Sequence, residues 1–228
     1  MFRKGLGFLI KFSAALIFLS IVSVIIFRFI PIPVTPLMVI RCAEQISDGK
    51  ELKLKKSWIS LKEMGPVMPL AVIASEDQNF EEHFGFDFKA IKKAGTYNSK
   101  HHGKKKKGAS TISQQTAKNV FLWPSRSWIR KGFEVYFTFL IELFWSKKRI
   151  IEVYLNVIEM GDGIYGIEKA SQTYFQKETR KLSIIQAARI AAILPNPRVW
   201  DPVHPSRRIV KKSQNIVYFM GRIKSINF

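Results

Sequence analysis

Residues 12–27, FSAALIFLSIVSVIIF, form an uncharged and almost wholly apolar run bounded by Lys11 and Arg28. The run is short for a bilayer crossing of about 20 residues. Residues 5–10 and 29–30 extend it, with Lys11 and Arg28 snorkelling towards the interfaces. Arg3, Lys4 and Lys11 precede the core with no acid among them, which puts the N-terminus on the cytoplasmic side. A cleaved signal peptide is the alternative. No small-x-small cleavage site follows the run, and Arg28, Pro31, Pro33 and Pro36 come instead. The expectation is therefore a cytoplasmic tip and single-pass anchor over residues 1–30. Residues 31–228 then form one domain outside the cytoplasm. A formal net charge of +20 favours an anionic partner, and this placement argues against nucleic acid.

The rest of the chain reads as mainly helical. Residues 31–36 (PIPVTP) cannot be helix interior and predict a stiff linker leaving the membrane. Thr111 with Gln114, and Ser183 with Gln186, fit the capping box and start helices through Lys118 and Leu194. A third helix is expected over 128–145, its second half apolar on most sides and so either buried or partly in lipid, with burial the preferred reading. Residues 98–107 (NSKHHGKKKK) predict a mobile loop, solvated or closing over an anionic substrate. The basic tail beyond Pro202 would suit a helix lying on anionic headgroups, or simple solubility. Cys42 stands alone, which excludes an internal disulfide and a cysteine-built zinc site. His83, His101, His102 and His204 have no metal-ligand spacing.

Residues 76–85, EDQNFEEHFG, crowd carboxylates and a histidine together. From residue 88 to residue 133 there is no acid at all and twelve Lys or Arg, and the next carboxylate is Glu134. Glu76 follows the apolar segment 71–75, and a carboxylate at the end of buried structure can exchange protons near neutral pH. From that segment alone, an ordinary ion pair with a lysine is an equally good reading. Glu134 lies four residues after Arg130, so a helix-surface salt bridge is the plain explanation. Its place among Phe and Tyr favours a functional role instead. Two carboxylates in separate environments can divide acid and base labour. Lys118, Arg126, Arg130 and Lys131 between them suit phosphate oxygens. Ser146-Lys147-Lys148-Arg149 is an anomaly, because three cations would fill a first helical turn where the dipole prefers anions. A bound phosphate, or one helix continuing from residue 128, would relieve it.

These stretches resemble the ordered motifs of the peptidoglycan glycosyltransferases, glycosyltransferase family 51. EDQNFEEHFG (76–85) is similar to the first motif, GASTISQQTAKN (108–119) to the second, RKGFE (130–134) to the third and KKRIIEVYLN (147–156) to the fourth. GDGIYGIEKA (161–170) and AAILPNP (191–197) complete the order. The wording is closest to the monofunctional members, and the length leaves no room for the transpeptidase domain of the bifunctional ones. In the fourth motif Ile151 stands where the family more often has Leu.

The resemblance implies a mainly α, lysozyme-like, two-lobed domain that polymerises lipid II into β-1,4 glycan strands. The acceptor's 4-hydroxyl would attack C1 of the donor N-acetylmuramic acid with inversion, and undecaprenyl diphosphate would leave. Glu76 matches the general base and Glu134 the second glutamate. Lys118 and Arg126 match diphosphate-binding positions, with Arg130 and Lys131 in the third motif. Ser110, Gln114, Gln115 and Asn119 would shape the donor site. The implied setting is an inner membrane, with the catalytic domain periplasmic. Implied partners are lipid II, the growing lipid-linked strand and the membrane, together with other cell-wall synthesis and division proteins. No cofactor is required and no metal site is expected. A divalent cation is compatible with the motifs but not encoded by them. The rival is a glycan-cleaving lysozyme or lytic transglycosylase, whose neutral leaving group would not need the cationic stretch.

Overall fold

The computed structural model describes residues 2–101, 108–125 and 127–223, with residues 2–4 as backbone only. It is mainly helical, as expected. The first helix, α1 (Phe2–Phe27), is longer than the uncharged core, and its segment Gly5–Phe27 is long and apolar enough to cross a membrane. At about 1.5 Å per residue, 23 residues reach about 35 Å, beyond the hydrocarbon thickness of about 30 Å.

The segment expected as a linker is tied down. Ile32 is buried, and Lys56 donates to the carbonyls of Ile32 and Pro33. Pro36 occupies the first position of α2 (Pro36–Ser47), where its missing N–H costs nothing, behind an N-cap Thr35. Two short helices, α3 (Leu61–Met64) and α4 (Val67–Glu76), lead into residues 76–85. Met68, Ala71, Val72, Ile73 and Ala74 of α4 are buried, so its last residue, Glu76, emerges from the core.

Helix α5 (Phe88–Lys100) follows. It includes residues 98–100, which the sequence had suggested as loop. Residues 102–107, including the run 104–107, lie outside the described residues. Next come α6 (Ile112–Phe121), α7 (Trp128–Phe144) and α8 (Lys147–Val157), packed on one another. The Thr111–Gln114 capping box is present at the start of α6. A small three-stranded sheet joins β1 (Lys55–Lys56), β2 (Glu159–Gly161) and β3 (Ile164–Tyr165), with β3 central, parallel to β1 and antiparallel to β2. Then α9 (Ile167–Phe175) and a short 3-10 turn (Thr179–Lys181) lead to α10 (Ile184–Ile193) and α11 (Arg207–Met220). The capping box Ser183–Gln186 opens α10, and α4, α10 and α11 pack together.

Two expectations change. The apolar half of α7 is not simply buried: Thr138 and Ile141 face inward, whereas Phe133, Val135, Phe139 and Leu143 are exposed. A helix does begin at Lys147, so no continuous helix absorbs the three cations. Nor is a phosphate needed there. Lys147 pairs with Glu142 at 2.7 Å, and Arg149 pairs with Glu152. The Arg149 guanidinium also donates to the Phe27 carbonyl at 2.8 and 3.1 Å and to the Ile30 carbonyl at 2.5 Å. The cation thus meets the negative end of α1's dipole. The indole N–H of Trp145 adds a 2.7 Å bond to the Val24 carbonyl.

Candidate active site

Four elements converge on Glu76. The residue is half-buried and its partners are neutral: Ser75 Oγ lies 3.1 Å from Oε1, and Gln115 Nε2 donates to Oε2 at 3.2 Å. Gln115 is fixed in turn by Tyr154 of α8, whose hydroxyl donates to Oε1 of the amide at 3.0 Å. Burial, with the Glu76 and Asp77 carboxylates nearby, pushes the Tyr154 phenol well above its usual pKa. It therefore remains a neutral donor. Ser75 Oγ also reaches the Ala191 carbonyl of α10 at 3.3 Å.

Asp77 and His83 hold the motif's shape. Asp77 is buried and accepts from His83 Nε2 at 2.9 Å and from the Ile112 backbone N–H at 3.0 Å. The first motif is thus bonded to the first free N–H of α6, one that the helix itself leaves unpaired. Gly85 has φ +74°, and a Cβ there would come within 2.8 Å of Thr138 Cγ2. Both facts call for glycine where this loop passes α7.

Glu134 sits in a different setting. It is buried on α7, accepts from Arg130 Nη1 at 2.7 Å and pairs with Lys131. Arg130 is itself buried, and its Nε donates to the Ser125 carbonyl at 2.6 Å. The i, i+4 pair foreseen from the sequence exists, but in the interior rather than on the surface. Lys118, one turn beyond Gln115 on α6, has no hydrogen bond or salt bridge among the described residues. Burial, with Arg130 and Lys131 nearby, lowers its pKa below the ordinary lysine value against the pull of Glu134 and Glu76. A cavity of about 470 Å³ opens beside it, with Arg41, Asn119, Trp123, Ser125 and Arg130 also in its wall.

The structure thus brings Glu76, Gln115 and Lys118 together, and Lys118 with Glu134, Arg130 and Lys131. Gln114 is buried, and its side chain closes the capping box on the Thr111 N–H at 3.0 Å. Ser110 is exposed just before α6. Arg126 lies outside the described residues. Among those described, no group of three His, Cys, Asp or Glu could hold a metal ion. Sequence reasoning passed over Arg41, Ser75, Asp77, His83 and Tyr154. Only Asp77 and His83 carried a signal, as neighbours of Glu76 in one motif.

Comparison with known proteins gives this helical scaffold and site a family. The model of the transglycosylase family matches residues 44–221, so the chain belongs to that family. A biosynthetic peptidoglycan transglycosylase of Bacteroides thetaiotaomicron is 53% identical over 221 residues, 97% of this chain and 87% of the relative. Proteins of the same name from Bdellovibrio bacteriovorus and Caulobacter vibrioides are 52% and 51% identical. They cover 87% and 90% of this chain, and 78% and 86% of their own lengths.

Proposed function

We propose that this chain is a peptidoglycan glycosyltransferase that polymerises lipid II with inversion, using Glu76 as general base. Family membership and the relatives' names support glycan-chain polymerisation over the glycan-cleaving alternative. The observation that carries the site assignment is the contrast between the two glutamates. Glu76 has only neutral hydrogen-bond partners, whereas Glu134 is neutralised by Arg130 and Lys131.

In this reading Glu76 takes the proton of the acceptor's 4-hydroxyl as the oxygen bonds to C1 of the donor. The C1–O bond to the diphosphate breaks, and the bond electrons leave with it. Developing negative charge on that leaving group is met by preset cations. Lys118 has no hydrogen bond or salt bridge among the described residues, Arg126, Arg130 and Lys131 are the others proposed, and Glu134 pairs with the last two. Gln115 and Asn119 line the donor side, with Ser110 and Gln114 at the start of α6.

The lipid tail requires work at a bilayer surface. Residues 1–30 are the proposed anchor and 31–228 the catalytic domain, periplasmic with the N-terminus in the cytoplasm of an inner-membrane cell. The exposed Trp128, Ile129, Phe133 and Phe139 of α7, beside α1, support a membrane-facing side. Glu76→Gln in the full chain is expected to abolish polymerisation of purified lipid II while the protein stays folded. Normal strand synthesis by that variant would sink the base assignment.

A further inference from the structure

Two cavities share Arg41 of α2 as part of their walls. The wall of the one beside Lys118 contains cations and no acid, which suits a diphosphate. The other, of about 850 Å³, has charges of both signs in its wall, among them Arg41, Lys53, Arg198, Glu44 and Asp162. Three separate segments build it. Gln45 of α2 pins the chain at Lys53, accepting from its backbone N–H at 2.7 Å. Lys53 in turn lies against Gly163, between β2 and β3, where an added Cβ would come within 2.5 Å of the Lys53 carbonyl oxygen. Arg198, beyond α10, joins the same turn by pairing with Asp162 at 3.2 Å. The frame is therefore tied together, but the charges on it are only lightly committed. Arg41 pairs with Glu44 at 2.7 Å and Lys53 with Asp162 at 3.7 Å, and exposed pairs of this kind hold little, so a ligand's charges can replace them. Behind Arg41, its Nε stands 3.5 Å from Glu159 Oε1, and both atoms are buried without a hydrogen bond among the described residues.

We propose that this larger cavity takes the peptide carried by the donor's N-acetylmuramic acid, with Arg41 and Arg198 meeting its carboxylates and Asp162 its amine. This rests on the reading that the donor's diphosphate lies beside Lys118. Lipid II carries its diphosphate on C1 of that sugar and its peptide, through a lactyl ether, on C3 of the same ring. A diphosphate in one cavity therefore brings the root of the peptide towards Arg41 and the other cavity. The sugars and the lipid chain are uncharged. Of the donor's parts only the peptide carries charges of both signs, as this wall does. Arg41 precedes the residues 44–221 that the family model matches, so no motif marked it.

The test compares two substrates: lipid II, and the same lipid-linked disaccharide with its lactyl carboxyl capped as a methylamide in place of the peptide. Initial rates of polymerisation by the full chain in detergent give kcat/KM for each, and the ratio is the preference for the peptide. The wild type is expected to favour lipid II. Asp162→Asn and Arg198→Gln change exposed side chains outside the core. Each should lower the preference by roughly three- to tenfold, the scale of one charged contact near the surface. If one of them fails to fold, the other decides alone. A wild type that uses both substrates equally overturns the proposal. So does a variant that slows both alike, because the cavity would then serve the sugars or the fold. The two claims fail separately. If the wild type polymerises neither substrate, the functional reading fails and the proposal falls with it; if it polymerises lipid II and the variants leave the preference unchanged, only the peptide site fails.

Discussion

Replacing Asp77 with Ala should show how firmly the first motif is bonded to α6. The carboxylate accepts from the Ile112 N–H at 3.0 Å and from His83 Nε2 at 2.9 Å, and Ile112 is fully buried. Alanine leaves both donors without a partner in a space too closed for easy hydration. Each orphaned buried donor costs about 1–3 kcal/mol, so the loss should be about 3–4 kcal/mol. Asn should cost less, about 1–2 kcal/mol: its oxygen can still take the Ile112 N–H while its amide faces His83 Nε2. That forces the proton to His83 Nδ1, an atom that is buried with no hydrogen-bond partner among the described residues. Urea unfolding of the full chain in detergent, followed by tryptophan fluorescence, measures both. The double variant Asp77→Ala/His83→Ala should lose less than the sum of the single losses, since the pair shares one bond. An Asp77→Ala loss under about 0.5 kcal/mol would refute the argument, because it would mean that neither donor depends on the carboxylate.

Lys118 should set an alkaline limit on donor binding. Its ammonium is the form that attracts diphosphate, and burial lowers its pKa. Attraction is complete well below that value and is lost as pH rises through it, at a pH below the ordinary lysine value of about 10.4. Lipid II binding measured from pH 7 to 10 should fall at the alkaline end for the wild type. Lys118→Arg should stay flat there, and a flat wild-type profile would remove the role. Arg149→Met should loosen the joint between anchor and domain, because it deletes the bonds to the Phe27 and Ile30 carbonyls. Bonds to a charged donor contribute about 1.5–3 kcal/mol. Limited proteolysis within residues 28–35 should therefore quicken about tenfold or more, at 1.4 kcal/mol per factor of ten. Equal cleavage rates would show that Arg149 does not hold the anchor.

Local signals explain which parts of the fold were legible. Capping boxes depend on residues three apart, so Thr111–Gln114 and Ser183–Gln186 placed the starts of α6 and α10, although α6 runs on to Phe121, three residues past the expected Lys118. Contacts between distant segments leave no such trace. Lys147 and Arg149 looked misplaced because part of what they bind lies elsewhere in the chain. Arg149 reaches back to Phe27, and Lys147 to the carbonyl of His83. Burial of the apolar half of α7 was misjudged for a related reason. Composition shows that Phe133 and Phe139 avoid water, but not whether protein or another apolar medium covers them. Glu134 was legible because it ends an acid-free stretch, and Glu76 because it opens the acidic motif before that stretch, whereas Tyr154 reaches Glu76 only through Gln115 of α6.

The surroundings of the two glutamates differ in a way that supports the proposed division of labour. Glu134 is buried between Arg130 and Lys131 and is the counter-charge that the two cations share. That arrangement suits a fixed charge which organises cations for a departing diphosphate. Glu76 is half-buried, and its direct partners, Ser75 and Gln115, are neutral. Among the described residues no cation pairs with it, so its carboxylate is not committed as that of Glu134 is. Such an asymmetry is what acid–base work by two carboxylates requires. It arises because Glu76 ends a helix at the edge of the core, while Glu134 lies inside a helix whose neighbouring turns supply both of its cations.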